Sequence, residues 1–138
     1  MPLYFAYGVN MRRDEMAQRC PGARVVGRAR LARHRFFVMS HGYASVTRDP
    51  TRNVHGLLWE IGLAHVRTLD AFEELGRGLY TKISQGVILA EGGARRALLY
   101  VGASLEPGRP KPGYMERVVE AAEAADLPAA YRRELAGF

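Results

Sequence analysis

The stretch that most limits how this chain can fold is Tyr4 to Met11, Y-F-A-Y-G-V-N-M. Aromatic and small apolar side chains from Tyr4 onward suit a short buried strand, and Gly8 followed by Asn10 ends that pattern at once. Met11 then opens a segment in which Met11, Met16 and Ala17 recur among Arg12, Arg13, Asp14 and Glu15, the pattern of an amphipathic helix with Asn10 as its cap. Strand, glycine turn and helix N-terminus in that order aim successive backbone N–H groups at one point and add the positive end of a helix dipole. That geometry suits an anionic or carbonyl oxygen. The same residues also describe a plain tight connection.

A chain of 138 residues fits one domain, residues 1–138, able to close a core without disulfides or metal. With 48% apolar and 25% charged residues, disorder is not expected. No apolar run approaches the roughly 20 residues of a membrane span, and Tyr4 to Val9 is too short for a secretory leader, so the expected location is cytoplasmic, with no membrane partner. Cys20 is the one cysteine, which excludes an internal disulfide and a thiolate cluster. The net charge of +6 is densest from Arg12 to Arg35. A basic balance can signal nucleic acid, but no aromatic RNA-binding pattern, Cys/His finger or helix-turn-helix accompanies it. We read it as a solvated surface, with no specific nucleic-acid partner.

Pro21 and Gly22 stop the first helix. Ala23 to Leu31 reads as a half-exposed strand, His34 to Met39 as a more buried one, and Tyr43 to Val46 as a third. Asp49 to Asn53, D-P-T-R-N, signals a turn before the strand Val54 to Ile61, which carries the single tryptophan, Trp59. Leu79 to Leu89 and Ala97 to Val101 read as strands joined at the hairpin signal Glu91 to Gly93. Residues 103–113 are rich in Pro and Gly and form a loop; Tyr114 to Ala125 and Pro128 to Leu135 are two short helices joined at Asp126 and Leu127. Many strands with helices after the first strand, in the middle and at the end predict an α+β fold whose small mixed sheet curls or closes.

Leu63 to Leu75 reads as a helix with one anomaly. Leu63, Val66, Leu69 and Phe72 share one half of it, and Glu73 projects between Val66 and Leu69, a carboxylate within an apolar stripe. Arg67 and Glu74 lie at the margin of the stripe or beyond it. A buried acid is paired or functional, and this arginine-rich chain leaves both explanations open.

Other chemistries find little support. His34, His41, His55 and His65 show no i,i+4 pairing around a Glu and no partner cysteines, so each reads as a surface or satisfied histidine. Cys20 ends what reads as a surface helix, with no histidine tied to it. Neither a Walker-type nor a dinucleotide-binding glycine pattern occurs. What remains is one anomalous acid, a backbone-donor loop and several tyrosines, a set suited to proton transfer with an oxyanion held by amides.

These stretches also resemble a known family. Tyr4 to Met11 resembles the Y-F-A-Y-G-S-N signature, and Leu69 to Glu73, L-D-A-F-E, the L-D-x-x-E segment, of the gamma-glutamylcyclotransferase and AIG2-like family. The likeness continues through Gly42 to Val46, G-Y-A-S-V, through Val54 to Glu60, V-H-G-L-L-W-E, and from Pro112 to Tyr131. It implies a small mixed β-barrel with flanking helices, and an enzyme that releases 5-oxoproline from a γ-glutamyl amide without cofactor or metal. By position, Glu73 matches the catalytic glutamate, Tyr4, Phe5, Ala6, Tyr7, Gly8 and Val9 the substrate-binding loop, and Tyr114 the tyrosine that closes over substrate. Val9 stands where the family usually has serine, and Glu74 where glycine usually follows the acid. If the loop works through its N–H groups, Val9 keeps them; if the serine hydroxyl binds substrate, specificity or activity changes. The implied partner is a small-molecule substrate, a γ-glutamyl amino acid or γ-glutamylamine. A catalytically impaired binding member of the same fold and a basic nucleic-acid-binding module are the competing readings.

Overall fold

A computed structural model describes residues 1–138. Its strands are β1 (Leu3–Ala6), β2 (Arg24–Val38), β3 (Ala44–Glu60), β4 (Tyr80–Leu89) and β5 (Ala94–Gly102). The helices are α1 (Arg13–Arg19), α2 (Leu63–Phe72), α3 (Tyr114–Ala124) and α4 (Ala129–Ala136). The strands close a barrel in the order β1-β3-β2-β4-β5. All neighbours are antiparallel except β1 and β5, which meet in parallel at Tyr4 and Leu98, so the sheet is mixed and has no free edge. The α+β expectation agrees with this architecture.

The two strands read between Ala23 and Met39 are one strand of 15 residues, β2. Its register slips at Arg33, whose φ of 62° places it in the left-handed region. The polarity change there marks a bend, not a chain reversal. Likewise β3 runs through the expected turn. Ala32 pairs with Asn53 and His34 with Arg48, so the residues between Arg48 and Asn53 loop out opposite Arg33. Asp49 Oδ1 accepts from the Thr51 amide (3.0 Å) and hydroxyl (2.8 Å). The D-P-T-R-N signal is therefore a local turn, and the ladder resumes beyond it.

Gly56 on β3 lies where β1 crosses closely. A Cβ there would fall 2.3 Å from the Ala6 carbonyl oxygen and 2.9 Å from the Phe5 ring. Glycine is what lets the first strand seat on the barrel. The core fills the barrel and continues under the helices. Met115, Val118, Ala121 and Ala122 of α3 are buried at helical spacing, and Tyr131 and Leu135 of α4 lie one turn apart. α3 packs against α4 and against the Val9–Met11 turn. No helix is long and apolar enough to cross a membrane.

Candidate active site

The strand β1 ends at Ala6, and the chain makes a single 3₁₀ turn, Val9–Met11, before α1 begins at Arg13. The expected helix opening at Met11 under an Asn10 cap is corrected here. Asn10 makes no cap; its side chain is buried, donating through Nδ2 to the Tyr4 hydroxyl (3.1 Å) and accepting at Oδ1 from Arg19 Nη1 (2.7 Å). A buried amide costs too much to leave unpaired, and these two partners satisfy it. On the other side of the turn, the Tyr7 hydroxyl donates to the Tyr100 carbonyl. Side chains thus pin the turn to the barrel at both ends, while the Tyr7 and Gly8 amides donate to no backbone carbonyl.

Glu73 arrives from α2. The apolar stripe read there is narrower than expected. Leu69 is fully buried, but Leu63 is 80% exposed and Phe72 39%. Glu73 is also not on the helix face but just past its end. Its amide still bonds the Leu69 carbonyl (2.9 Å), and Glu74 follows at φ 54°, ψ 46°, turning the chain away. The end of α2 is anchored by Asp70, which accepts from the Tyr100 hydroxyl (2.7 Å) and from Lys82 (3.0 Å). Burial works to raise the Asp70 carboxyl, but those two donors outweigh it and leave its pKa below the ordinary value.

Turn and acid meet at a cavity of about 250 Å³. Tyr4, Phe5, Tyr7, Gly8 and Val9 line it from one side and Glu73 from another, so residues far apart in sequence are brought together. Ala6 does not line it; it is buried and its backbone pairs with Leu57. Val9 serves both the cavity wall and the core. Tyr114, the first residue of α3, closes the far side with its ring edge-on to Tyr43 (5.2 Å) and its hydroxyl accepting from the Ala44 amide (3.2 Å). Tyr80 donates to the Ala44 carbonyl (2.7 Å), so two tyrosines clamp the backbone of one residue on both sides.

Burial dominates the electrostatics. It raises the Glu73 carboxyl to about 7, against the opposing charge of Arg19. Burial likewise raises the Tyr4, Tyr7 and Tyr80 hydroxyls and takes Tyr114 to about 12, which keeps these groups neutral at physiological pH. Cys20, read as ending a surface helix, is in fact fully buried, and burial raises its thiol. Among the histidines, His34 Nδ1 sits 2.9 Å from the Ala32 carbonyl and His65 Nδ1 accepts from the Gly62 amide (3.0 Å). His41 differs from the expectation: between the Tyr43 and Tyr80 rings, both its ring nitrogens are buried without a partner. No three His, Cys, Asp or Glu side chains converge as metal ligands would.

The cavity residues that the sequence did not nominate are Arg19, Tyr80 and Tyr100, with Asn10 nominated only as a cap. The links of Tyr80 and Tyr100 span distant segments, and those of Asn10 to Tyr4 and Arg19, though near in sequence, follow no helical or strand period. The comparison that decides the affiliation is a match of residues 53–135, more than half of the chain, to the model of the AIG2-like family. The chain belongs to the AIG2-like family. Human gamma-glutamylcyclotransferase is 29% identical to it over an alignment covering 96% of this chain and 76% of the relative. The mouse gamma-glutamylcyclotransferase is 28% identical over the same shares. A solved structure of a gamma-glutamyl cyclotransferase superposes with a TM-score of 0.89 at 27% identity, covering 97% of this AIG2-like chain and 85% of that one. The closed barrel with flanking helices is thus shared with that protein.

Proposed function

We propose that this protein is a γ-glutamyl cyclotransferase, releasing 5-oxoproline from a γ-glutamyl amide. The observation that carries the reading is the placement of Glu73, a carboxylate whose pKa is raised to about 7, on the same cavity as a turn whose Tyr7 and Gly8 amides are free to donate. A base works best with a pKa near the working pH, and unengaged amides suit a developing oxyanion. The names of the relatives point the same way.

The chemistry follows from one molecule holding both reacting groups. Glu73 takes a proton from the substrate α-ammonium, and the freed nitrogen pair attacks the γ-carbonyl carbon. A C–N bond forms and the carbonyl π pair moves onto oxygen, which the turn amides receive. As that pair returns, the bond to the leaving nitrogen breaks, and Glu73 gives its proton to that nitrogen. The second proton of the ring nitrogen goes to the released amine, so the products are the lactam and an ammonium. The protein's part is to hold the folded substrate rotamer, since well-oriented cyclisations reach effective molarities of about 10⁵–10⁸ M.

The test is to incubate purified protein with γ-glutamylglycine, γ-glutamylalanine and γ-glutamylbutylamine and to measure 5-oxoproline. Release from at least one, abolished in Glu73→Ala, supports the reading. A folded protein that binds these compounds and releases none would instead be a binding member of the family.

A further inference from the structure

We propose that Arg19 is a positioning residue for Glu73: its guanidinium fastens the turn after β1 to the end of α2 and holds the neighbouring carboxylate in its proton-accepting form. The inference rests on the reading of Glu73 as the base.

Arg19 is the last residue of α1, and its side chain is 20% exposed on the wall of the cavity. Three contacts from three segments fix it. Nη1 donates to Asn10 Oδ1 (2.7 Å), and Asn10 in turn donates to the Tyr4 hydroxyl (3.1 Å), so the arginine holds the turn and the strand before it. Glu15, one helical turn earlier, forms an ion pair with it. The guanidinium carbon stands 3.7 Å from the centroid of Phe72, the residue before Glu73. Phe72 is one of two large apolar side chains that α2 leaves exposed, and this contact gives it an occupation. A long side chain held at three points has already lost its rotamer freedom, so its charge sits at one place beside the cavity.

That charge has no close rival. From α3, Arg117 also lines the cavity, but it is 48% exposed and turned to the same Glu15. Burial pushes the Glu15 carboxyl up, and the two arginines together outweigh it, so Glu15 is a fixed anion between them. From α2 and the turn beyond, Asp70 is held by Lys82 and Tyr100, and Glu74 by Arg77 (2.9 Å). From β1, β4, β5 and α3, the groups that feel the Glu73 charge are the hydroxyls of Tyr4, Tyr7, Tyr80, Tyr100 and Tyr114, all neutral at working pH. Arg19 is the cation that works against burial at Glu73. An uncharged Glu73 could not accept the substrate's proton, and an arginine beside it cannot compete for that proton, because guanidinium stays charged.

The test compares wild type, Arg19→Lys and Arg19→Met in the full chain. Two readouts are used: the pH profile of kcat/KM, with whichever of the three γ-glutamyl compounds above turns over fastest, and an NMR titration of the Glu73 carboxyl in the free protein. Removing the cation that opposes burial at Glu73 should raise both the acid limb and the titration midpoint by about one pH unit in Arg19→Met. Arg19→Lys should restore most of that shift while losing the fit over Phe72. A uniform loss of activity at every pH, with the Glu73 midpoint unmoved, would overturn the inference and leave Arg19 a packing residue. Should wild type release no 5-oxoproline, the cyclotransferase reading fails, and the NMR midpoints alone still decide whether Arg19 governs Glu73. Phe72→Leu provides the folded control, keeping the charge and removing the ring.

Discussion

Gly8 faces Tyr114 across the cavity: a Cβ built on Gly8 would stop 3.5 Å from the tyrosine hydroxyl, in ordinary van der Waals contact. The glycine is therefore not demanded by contact with a neighbouring side chain. What its missing side chain leaves is room. Gly8→Ala should fold with little change in melting temperature, yet lower kcat/KM by roughly 10–200-fold, the range that one methylene commands in a fitted pocket. Thermal unfolding and 5-oxoproline release measured on one preparation check this. A large fall in melting temperature would instead make Gly8 a structural residue.

Glu73→Gln separates chemistry from folding. At pH 8 it should lower kcat by about 10²–10⁴-fold, since an amide cannot carry the proton. Stability should move the other way. Folding raises the Glu73 carboxyl from 4.5 to about 7, so the wild-type fold gains from holding that proton. The gain is complete below pH 4.5 and lost as pH rises through 7. The glutamine variant escapes this loss. It should gain on wild type across that window and then hold a constant advantage of at most about 3 kcal/mol, read by denaturant unfolding from pH 4 to 8.

Glu74 occupies a backbone position made for glycine, with φ 54° and ψ 46°. A left-handed residue with a Cβ pays roughly 1–2 kcal/mol, while its ion pair with Arg77, itself 75% exposed, returns little. Glu74→Gly should raise stability by about 1 kcal/mol, visible as a higher unfolding midpoint at an unchanged denaturant slope. A lower midpoint would mean the carboxylate has a structural task.

Tyr114→Phe removes the acceptor of the buried Ala44 amide. The expected cost is about 1–3 kcal/mol, with a KM increase beyond anything seen in a variant of equal stability loss elsewhere. Unchanged kinetics in a destabilised protein would assign Tyr114 to the core alone.

Much of this arrangement is legible along the chain, where the signal is local. The buried strand from Tyr4, the hairpin at Glu91 to Gly93 and the two closing helices all declare themselves through periodicity and turn residues. The family signatures nominate Glu73 and Tyr114 directly. Asp49 to Asn53 misleads because a local turn and a chain reversal use the same residues, and only the ladder on either side distinguishes them. Asn10 misleads for a related reason: a cap and a buried amide are one residue type, and Arg19 and Tyr4 decide between them. The α2 stripe fails at Leu63 because periodicity gives a face but not how far along the helix that face meets a partner.

The parallel meeting of β1 and β5 at Tyr4 and Leu98 has a consequence for how the protein is made. The turn is synthesised before position 98, so until then it lacks one of the two strands that flank β1, and it lacks Tyr114 for longer still. A nascent or clipped chain therefore carries the signature without the site. In the mature protein, fraying of this one seam would leave β1 paired with β3 but cost the turn the Tyr100 carbonyl that holds the Tyr7 hydroxyl, silencing the pocket while the rest of the barrel stays paired.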